Sequence, residues 1–227
     1  MLIPTDITCN ILSNEENIEH NFDVNYKVII IGNNSVGKTC INNRIIRNIY
    51  DPNYEPTLGF DYSHFFLKAN DKIIKLSLWD TCGQEKYRSL ISNFYRNSSF
   101  VLLVYSIDNR QSFDSLEGWL NDVKTAGNTE IQICLIGNKS DLTDNRQITE
   151  EEGKEFARVN DINYFFETSA LTGENIKDMF IQIGKILYVS AVEDEKYKDE
   201  IKLSKDSIED TLSKQSKKKK SGGCCSS

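Results

Sequence analysis

Between Tyr26 and Arg47 the chain reads as strand, glycine loop and helix in immediate succession, and no other stretch restricts the fold as much. Tyr26-Lys27-Val28-Ile29-Ile30-Ile31 is an apolar, β-branched run of the kind a buried strand carries. Gly32-Asn33-Asn34-Ser35-Val36-Gly37-Lys38-Thr39 follows, and it fits the pattern of a loop that cradles phosphate. Cys40 to Arg47 then places apolar residues at helical spacing. Gly32 and Gly37 admit backbone angles that other residues avoid. The amides of Asn34, Ser35, Val36, Gly37, Lys38, Thr39 and Cys40 can therefore converge on an anion where the helix dipole also favours negative charge. Lys38 can reach the outer phosphates, and Thr39 can offer its hydroxyl to Mg²⁺. Without the Lys-Thr pair the stretch would read as an ordinary glycine turn before a helix.

The 227 residues suffice for one α/β domain with chain left over. A hydrophobic share of 39% and a charged share of 27% suit a globular body, and a net charge of −7 gives no bias toward nucleic acid. No apolar run reaches the length of a membrane span, and residues 1–25 lack the basic start and apolar centre of a signal peptide. Leu2 excludes the N-myristoylation pattern. Cys9, Cys40, Cys82 and Cys134 are scattered without metal spacing, which suggests free thiols in a reducing compartment.

The polar, Asn- and Glu-rich residues 1–25 read as a flexible leader, with a weak amphipathic pattern from Ile11 to Ile18. Residues 26–191 read as one domain. A Pro-containing loop from Tyr50 to Thr57 leads to a hairpin of two strands, His64–Ala69 and Ile73–Trp79, turning at Asn70-Asp71. Strands at Phe100–Tyr105, Ile131–Ile136 and Tyr164–Phe166 then alternate with helices. The helices are marked by Phe113, Leu116, Leu120 and Val123, by residues 150–159 behind a Thr149 N-cap, and by Asn175–Val189. This predicts a mostly parallel six-stranded sheet with one antiparallel edge strand and helices on both faces. Residues 192–227 read as a disordered tail with a basic run, Lys217 to Lys220, and paired cysteines near the end.

Three more motifs carry chemistry. In Trp79-Asp80-Thr81-Cys82-Gly83-Gln84-Glu85, Asp80 ends a strand where it can serve Mg²⁺ through water. Gly83 can bring its N–H to a γ-phosphate, and Gln84 is placed to orient an attacking water. In Asn138-Lys139-Ser140-Asp141, the Asp141 carboxylate can accept a pair of hydrogen bonds from guanine that adenine cannot donate, with the Lys139 stem along the base. Glu167-Thr168-Ser169-Ala170 supplies amides that can reach the base oxygen.

In this order and spacing the motifs resemble those of Ras-like small GTPases, over roughly residues 25–190. Within that superfamily the chain resembles a Rab. The features that say so are Thr57-Leu58-Gly59-Phe60-Asp61-Tyr62, the run from Trp79 to Ser89, Tyr95-Arg96 at the start of a strand, and Cys224-Cys225. The resemblance implies a GTP hydrolase whose catalytic residues are Gln84, Lys38 and Thr57. Mg²⁺ would be held by Thr39, Thr57 and Asp80, with Thr57 closing on it in the GTP state. Tyr50 would stack beside guanine, and Ser169, Ala170 and Leu171 would border the base. Residues 50–62 and 82–95 would be the switch segments, and Phe60, Trp79 and Tyr95 a hydrophobic triad read by effectors, with simple core packing as the other, compatible reading of the triad. An activating protein, an exchange factor and a prenylation escort or GDP-dissociation inhibitor are the implied partners of a monomer. It would cycle between cytosol and the cytoplasmic face of an intracellular membrane in vesicle traffic.

Three residues depart from the pattern: Asn34 stands where glycine or serine is usual, Cys82 where alanine is, and Leu171 where lysine is common. Paired cysteines near the end resemble the Rab substrate for two geranylgeranyl groups, which anchor a protein where one lipid holds it only reversibly. The basic run can add about 1 kcal/mol per lysine at an anionic surface. A four-residue prenylation box starting at Cys224 is the rival reading, disfavoured by Ser226. Also open are a Ras- or Rho-like signalling GTPase, a GTP-binding switch that barely hydrolyses, and a P-loop kinase or ATPase, against which Asp141 argues.

Overall fold

The computed structural model describes residues 6–12, 21–52, 57, 59–83, 95–126 and 131–196. The described residues divide into two units between Lys185 and Ile186. The first is built on a seven-stranded sheet of order β1-β3-β4-β2-β5-β6-β7. The strands are β1 (Cys9–Leu12), β2 (Val24–Ile31), β3 (Phe60–Ala69), β4 (Lys72–Thr81), β5 (Phe100–Ser106), β6 (Gln132–Asn138) and β7 (Tyr164–Thr168). β4, β2, β5, β6 and β7 run parallel, while β3 is antiparallel to both β4 and β1. The continuous apolar runs took the central places. All seven residues of β5 are buried, as a parallel strand covered on both faces requires.

The helices are α1 (Lys38–Arg47), α2 (Arg110–Asp114), α3 (Leu116–Ala126) and α4 (Glu150–Val159), followed by α5 over 176–185. The single helix expected around Phe113 to Val123 is thus split at Ser115. Trp119, Leu120 and Val123 of α3 pack with Ile29, Ile31, Val101 and Leu103 on one face of the sheet. On the other face Phe180 of α5 meets Phe65 edge-on, with ring centroids 5.3 Å apart. Thr149 caps α4 as expected, in a reciprocal capping box with Glu152.

The leader is where the expectation fails. Residues 9–12 form β1, so the sheet has seven strands rather than six, and β3 is flanked on both sides. β1 has a physical anchor: Asn70, in a left-handed conformation with φ 48°, accepts from Thr8 N at 2.9 Å and from Thr8 Oγ1 at 3.0 Å. Behind it, a Cβ on Gly184 would lie 2.8 Å from Cys9 Sγ, so only a glycine lets the helix approach this strand. Ile11 and Leu12 lie in this strand, not in a helix. The rest of that weak pattern falls outside the described residues.

At the other end, residues 186–196 of the second unit are helical throughout. Residues 192–196, expected in the disordered tail, are therefore helical, consistent with good helix formers at Glu193, Glu195 and Lys196. The basic run and the paired cysteines lie outside the described residues.

Candidate functional site

Every parallel strand ends at the same edge of the sheet, and the chemistry-bearing loops leave from those ends. The phosphate loop leaves β2, Asp80 to Gly83 close β4, Asp108 follows β5, Asn138 to Asp141 close β6, and Ser169 to Leu171 follow β7. Four of these loops, all but the one carrying Asp108, border a cleft of about 420 Å³. Asn34, Ser35, Gly37, Lys38, Thr39 and Cys40 line one wall, and Tyr50, Asp51, Pro52 and Thr57 another. The remainder comes from Thr81, Cys82, Gly83, Asn138, Lys139, Asp141, Leu142, Ala170 and Leu171. Of the residues singled out from sequence, Val36, Asp80 and Ser169 are fully buried behind this lining. Gln84 lies outside the described residues.

The glycines do what the motif asks of them. Gly32 has φ 138° and Gly37 φ 94°, and a Cβ would meet Val104 O at 2.1 Å on the first and Asn138 Nδ2 at 2.2 Å on the second. Lys38 is folded into the loop it follows, donating to Gly32 O at 3.0 Å and Asn33 O at 2.7 Å. Burial pushes its ammonium down to about 8, and the nearby Asp80 and Cys82 offset part of that shift. Gly83 packs against the loop backbone so closely that a Cβ would lie 2.4 Å from Asn33 C and O and from Asn34 N. Asn34 turns its Oδ1 onto Ser35 N at 3.0 Å. Cys82, which stands where the pattern has alanine, is buried at 4% exposure.

Asp80, Thr39 and Thr57 converge. Thr39 Oγ1 lies 2.9 Å from Thr57 Oγ1 and donates to Asp80 Oδ2. Asp80 is fully buried, and its Oδ1 accepts no hydrogen bond from the described residues. Burial raises this carboxyl to about 6, opposed by the Thr39 hydrogen bond and the Lys38 charge. A dry carboxylate oxygen with two hydroxyls beside it is a donor set for a hard cation that keeps water and phosphate oxygens. The residues present therefore fit Mg²⁺.

The base end is organised by Asn138, 1% exposed. Its Nδ2 donates to Val36 O at 2.8 Å, while its Oδ1 accepts from Thr168 Oγ1 at 3.2 Å and Ala170 N at 3.3 Å. One side chain thus ties the phosphate loop to both base-side loops. Asp141 Oδ1 accepts from Ser169 Oγ at 2.5 Å. Lys139 takes φ 67° after the strand and pairs with Asp108 Oδ1 at 3.5 Å.

Sequence reasoning missed Asn33, Arg44 and Asp108. Arg44 of α1 donates to Ala170 O at 2.9 Å and Leu171 O at 2.6 Å, pinning the loop after β7. Nothing in its helical position announces that destination. Asp108 had a signal, since it sits by the carboxyl end of β5 as the motif acids sit by the carboxyl ends of β4 and β6. For Tyr95 the core-packing alternative holds. Tyr95 precedes β5, which starts at Phe100, and it is fully buried in the core cluster, so it offers no surface to a partner. Phe60 and Tyr62 are 51% and 44% exposed, and both contact the Trp79 ring, Phe60 tilted and Tyr62 edge-on, with centroids 5.4 and 5.3 Å away.

The model of the Ras family matches residues 27–188. A Ras-related protein Rab-4 of Dictyostelium discoideum is 42% identical over 161 residues, covering 71% of this chain and 78% of the relative. A Ras-related protein RABA6b of Arabidopsis thaliana is 38% identical over 173 residues, covering 76% and 75%. With the four loops gathered round one cleft and these matches over most of its length, the chain belongs to the Ras family of GTP-hydrolysing small GTPases and, within it, to the Rabs.

Proposed function

We propose that the chain is a membrane-anchored switch of vesicle traffic that binds GTP and GDP with Mg²⁺, hydrolyses GTP, and recruits effectors in its GTP state. The observation that carries this reading is the convergence of the four loops on one cleft. Phosphates lie against the amides of residues 34–40 and the ammonium of Lys38. Thr39, Thr57 and Asp80 hold Mg²⁺, which when bound offsets the negative charge of the phosphates. Gly83 brings its N–H to the γ-phosphate and Gln84 orients the attacking water, so positioning and charge neutralisation supply the catalysis. Asp141 selects guanine, Lys139 and Tyr50 flank it, and Ser169, Ala170 and Leu171 close over it. Binding of GDP far tighter than ADP, and Mg²⁺-dependent release of phosphate from GTP, test the reading. Equal affinity for ADP would overturn it.

Effectors read the face carrying Phe60, Tyr62 and Trp79. Among the described residues, the strands β2, β3 and β4 also carry Lys27, Lys68 and Lys75 on that face and no carboxylate, with Asp23 just ahead of β2 engaged by the Ile73 amide, which suits a partner segment with acidic residues beside apolar ones. Cys224 and Cys225 take two prenyl groups, and Lys217 to Lys220 assist at an anionic surface. A regulator supplied in trans provides the activating arginine. Serine replacement of both cysteines is expected to release the protein from organelle membranes into the cytosol.

A hydrolysis-poor switch is the second reading, favoured by Asn34, whose side chain sits on the cleft wall and occupies the Ser35 amide. Single-turnover hydrolysis faster in Asn34→Gly than in wild type supports it, and equal rates remove it.

A further inference from the structure

Asn33 sits at a junction of the phosphate loop. Its carbonyl accepts from Lys38 Nζ at 2.7 Å. Its Oδ1 accepts from Trp119 Nε1 at 2.7 Å, and its Nδ2 donates to Ser115 Oγ at 3.0 Å. Its carbonyl group also forms the seat on which Gly83 rests. Two groups of the phosphate machinery, one ammonium and one glycine amide, thus take their positions from a single residue.

The chemistry around Asn33 calls for an amide. Trp119 is 1% exposed and packed in the core, where an indole N–H needs an acceptor. Ser115 Oγ commits its proton to Gln111 O at 2.8 Å and so presents a lone pair. One donor and one acceptor face Asn33, and an amide answers both where a carboxylate accepts only. With both ends of the side chain held, the backbone of residue 33 keeps one orientation, and a rotation there would displace the Lys38 anchor and the Gly83 seat together.

We propose that Asn33 is a positioning residue. Trp119 and Ser115, through its side chain, set the phosphate loop against Lys38 and Gly83, and so the core face of α3 governs how long nucleotide is retained. This rests on the reading of the cleft as a guanine-nucleotide site.

The test is release of a fluorescent GDP from the full chain with Mg²⁺ present. Trp119→Phe keeps the packing and removes the N–H, while Asn33→Ala removes the amide. Trp119→Phe is expected to speed release about five-fold, the factor one hydrogen bond supplies, and Asn33→Ala, which loses both side-chain bonds, at least as much, with the double variant no faster than Asn33→Ala. Asn33→Asp, which keeps only the acceptor, also speeds release. Leu120→Ala truncates the same buried face without touching the junction. It is expected to lower the melting temperature more than Trp119→Phe does, yet to leave release within about two-fold of wild type. Trp119→Phe release within two-fold of wild type, or an equal acceleration in Leu120→Ala, would overturn the proposal. Wild-type protein that holds no GDP overturns the cleft reading and this proposal with it. Wild-type retention with unchanged release in Trp119→Phe overturns the coupling alone.

Discussion

At the base end of the cleft, Asn138, Asp141 and Ser169 find partners in one another and in neighbouring loops. At the phosphate end, Asp80 keeps a buried oxygen without a partner among the described residues, and burial weakens the charged forms of both Asp80 and Lys38. The two ends divide the work of binding differently. The base end is organised by the protein's own hydrogen bonds, so recognition there needs little rearrangement. The phosphate end holds charged groups in dry surroundings, at a cost to the free protein that a bound anion and cation relieve. Stability of the free protein is therefore concentrated at one end, and ligand-dependent stabilisation at the other.

The sharpest way to break this contrast is Asn138→Ala. It removes three buried hydrogen bonds, expected to cost the nucleotide-free protein about 3 kcal/mol in urea unfolding and to weaken GDP binding by about 100-fold or more. Undiminished stability would show that the base end is not held by its own bonds. Asp80→Asn tests the opposite end. Removing a buried charge should leave the nucleotide-free protein at least as stable as wild type, while Mg²⁺-dependent GDP affinity, followed by calorimetry with and without the metal, falls by about 10- to 100-fold. Arg44→Ala is milder. Loss of its bonds to Ala170 O and Leu171 O is expected to weaken GDP by about 1 kcal/mol, with the ratio of affinities with and without Mg²⁺ unchanged.

The smallest expected effect lies outside both ends. Glu152, held by Arg110 and the Thr149 amide, has its carboxyl lowered from 4.5 to about 2. Its contribution is full above the ordinary carboxylate value and is lost as pH falls through about 2. The group is well exposed, so Glu152→Gln should cost under about 1 kcal/mol near neutrality. The gap between variant and wild type should close between pH 5 and pH 2 in thermal melts, while GDP affinity stays unchanged. A pH-independent gap would assign the loss to packing.

The phosphate end was legible in the sequence because its groups are close along the chain. Gly32, Gly37, Lys38 and Thr39 act through local backbone shape, and local shape has a sequence signature. Asp80 and Asp141 were legible because an acid at the end of an apolar strand stands out. What stayed hidden depends on distant pairing. Arg44 meets carbonyls more than a hundred positions away, and Asn33 looked like any loop polar residue until Trp119 was placed beside it. β1 was missed because it has four residues, and its partner Asn70 read only as a turn. Tyr95 stayed ambiguous because an aromatic near a switch segment looks the same in sequence whether it faces solvent or the core.

β1 has one further consequence, for self-association. A strand with an open side can be lengthened by another copy of the chain, and short edge strands limit that hazard. Paired with Phe66 to Ala69, β1 covers the lower part of β3. Phe60 to Phe65 keep an outer side that no described strand pairs. Residues 9–12 thus act as a partial guard over a long aromatic strand. A chain shortened past Leu12 would present ten consecutive β3 residues, Phe60 to Ala69, as a template for fibre-like stacking.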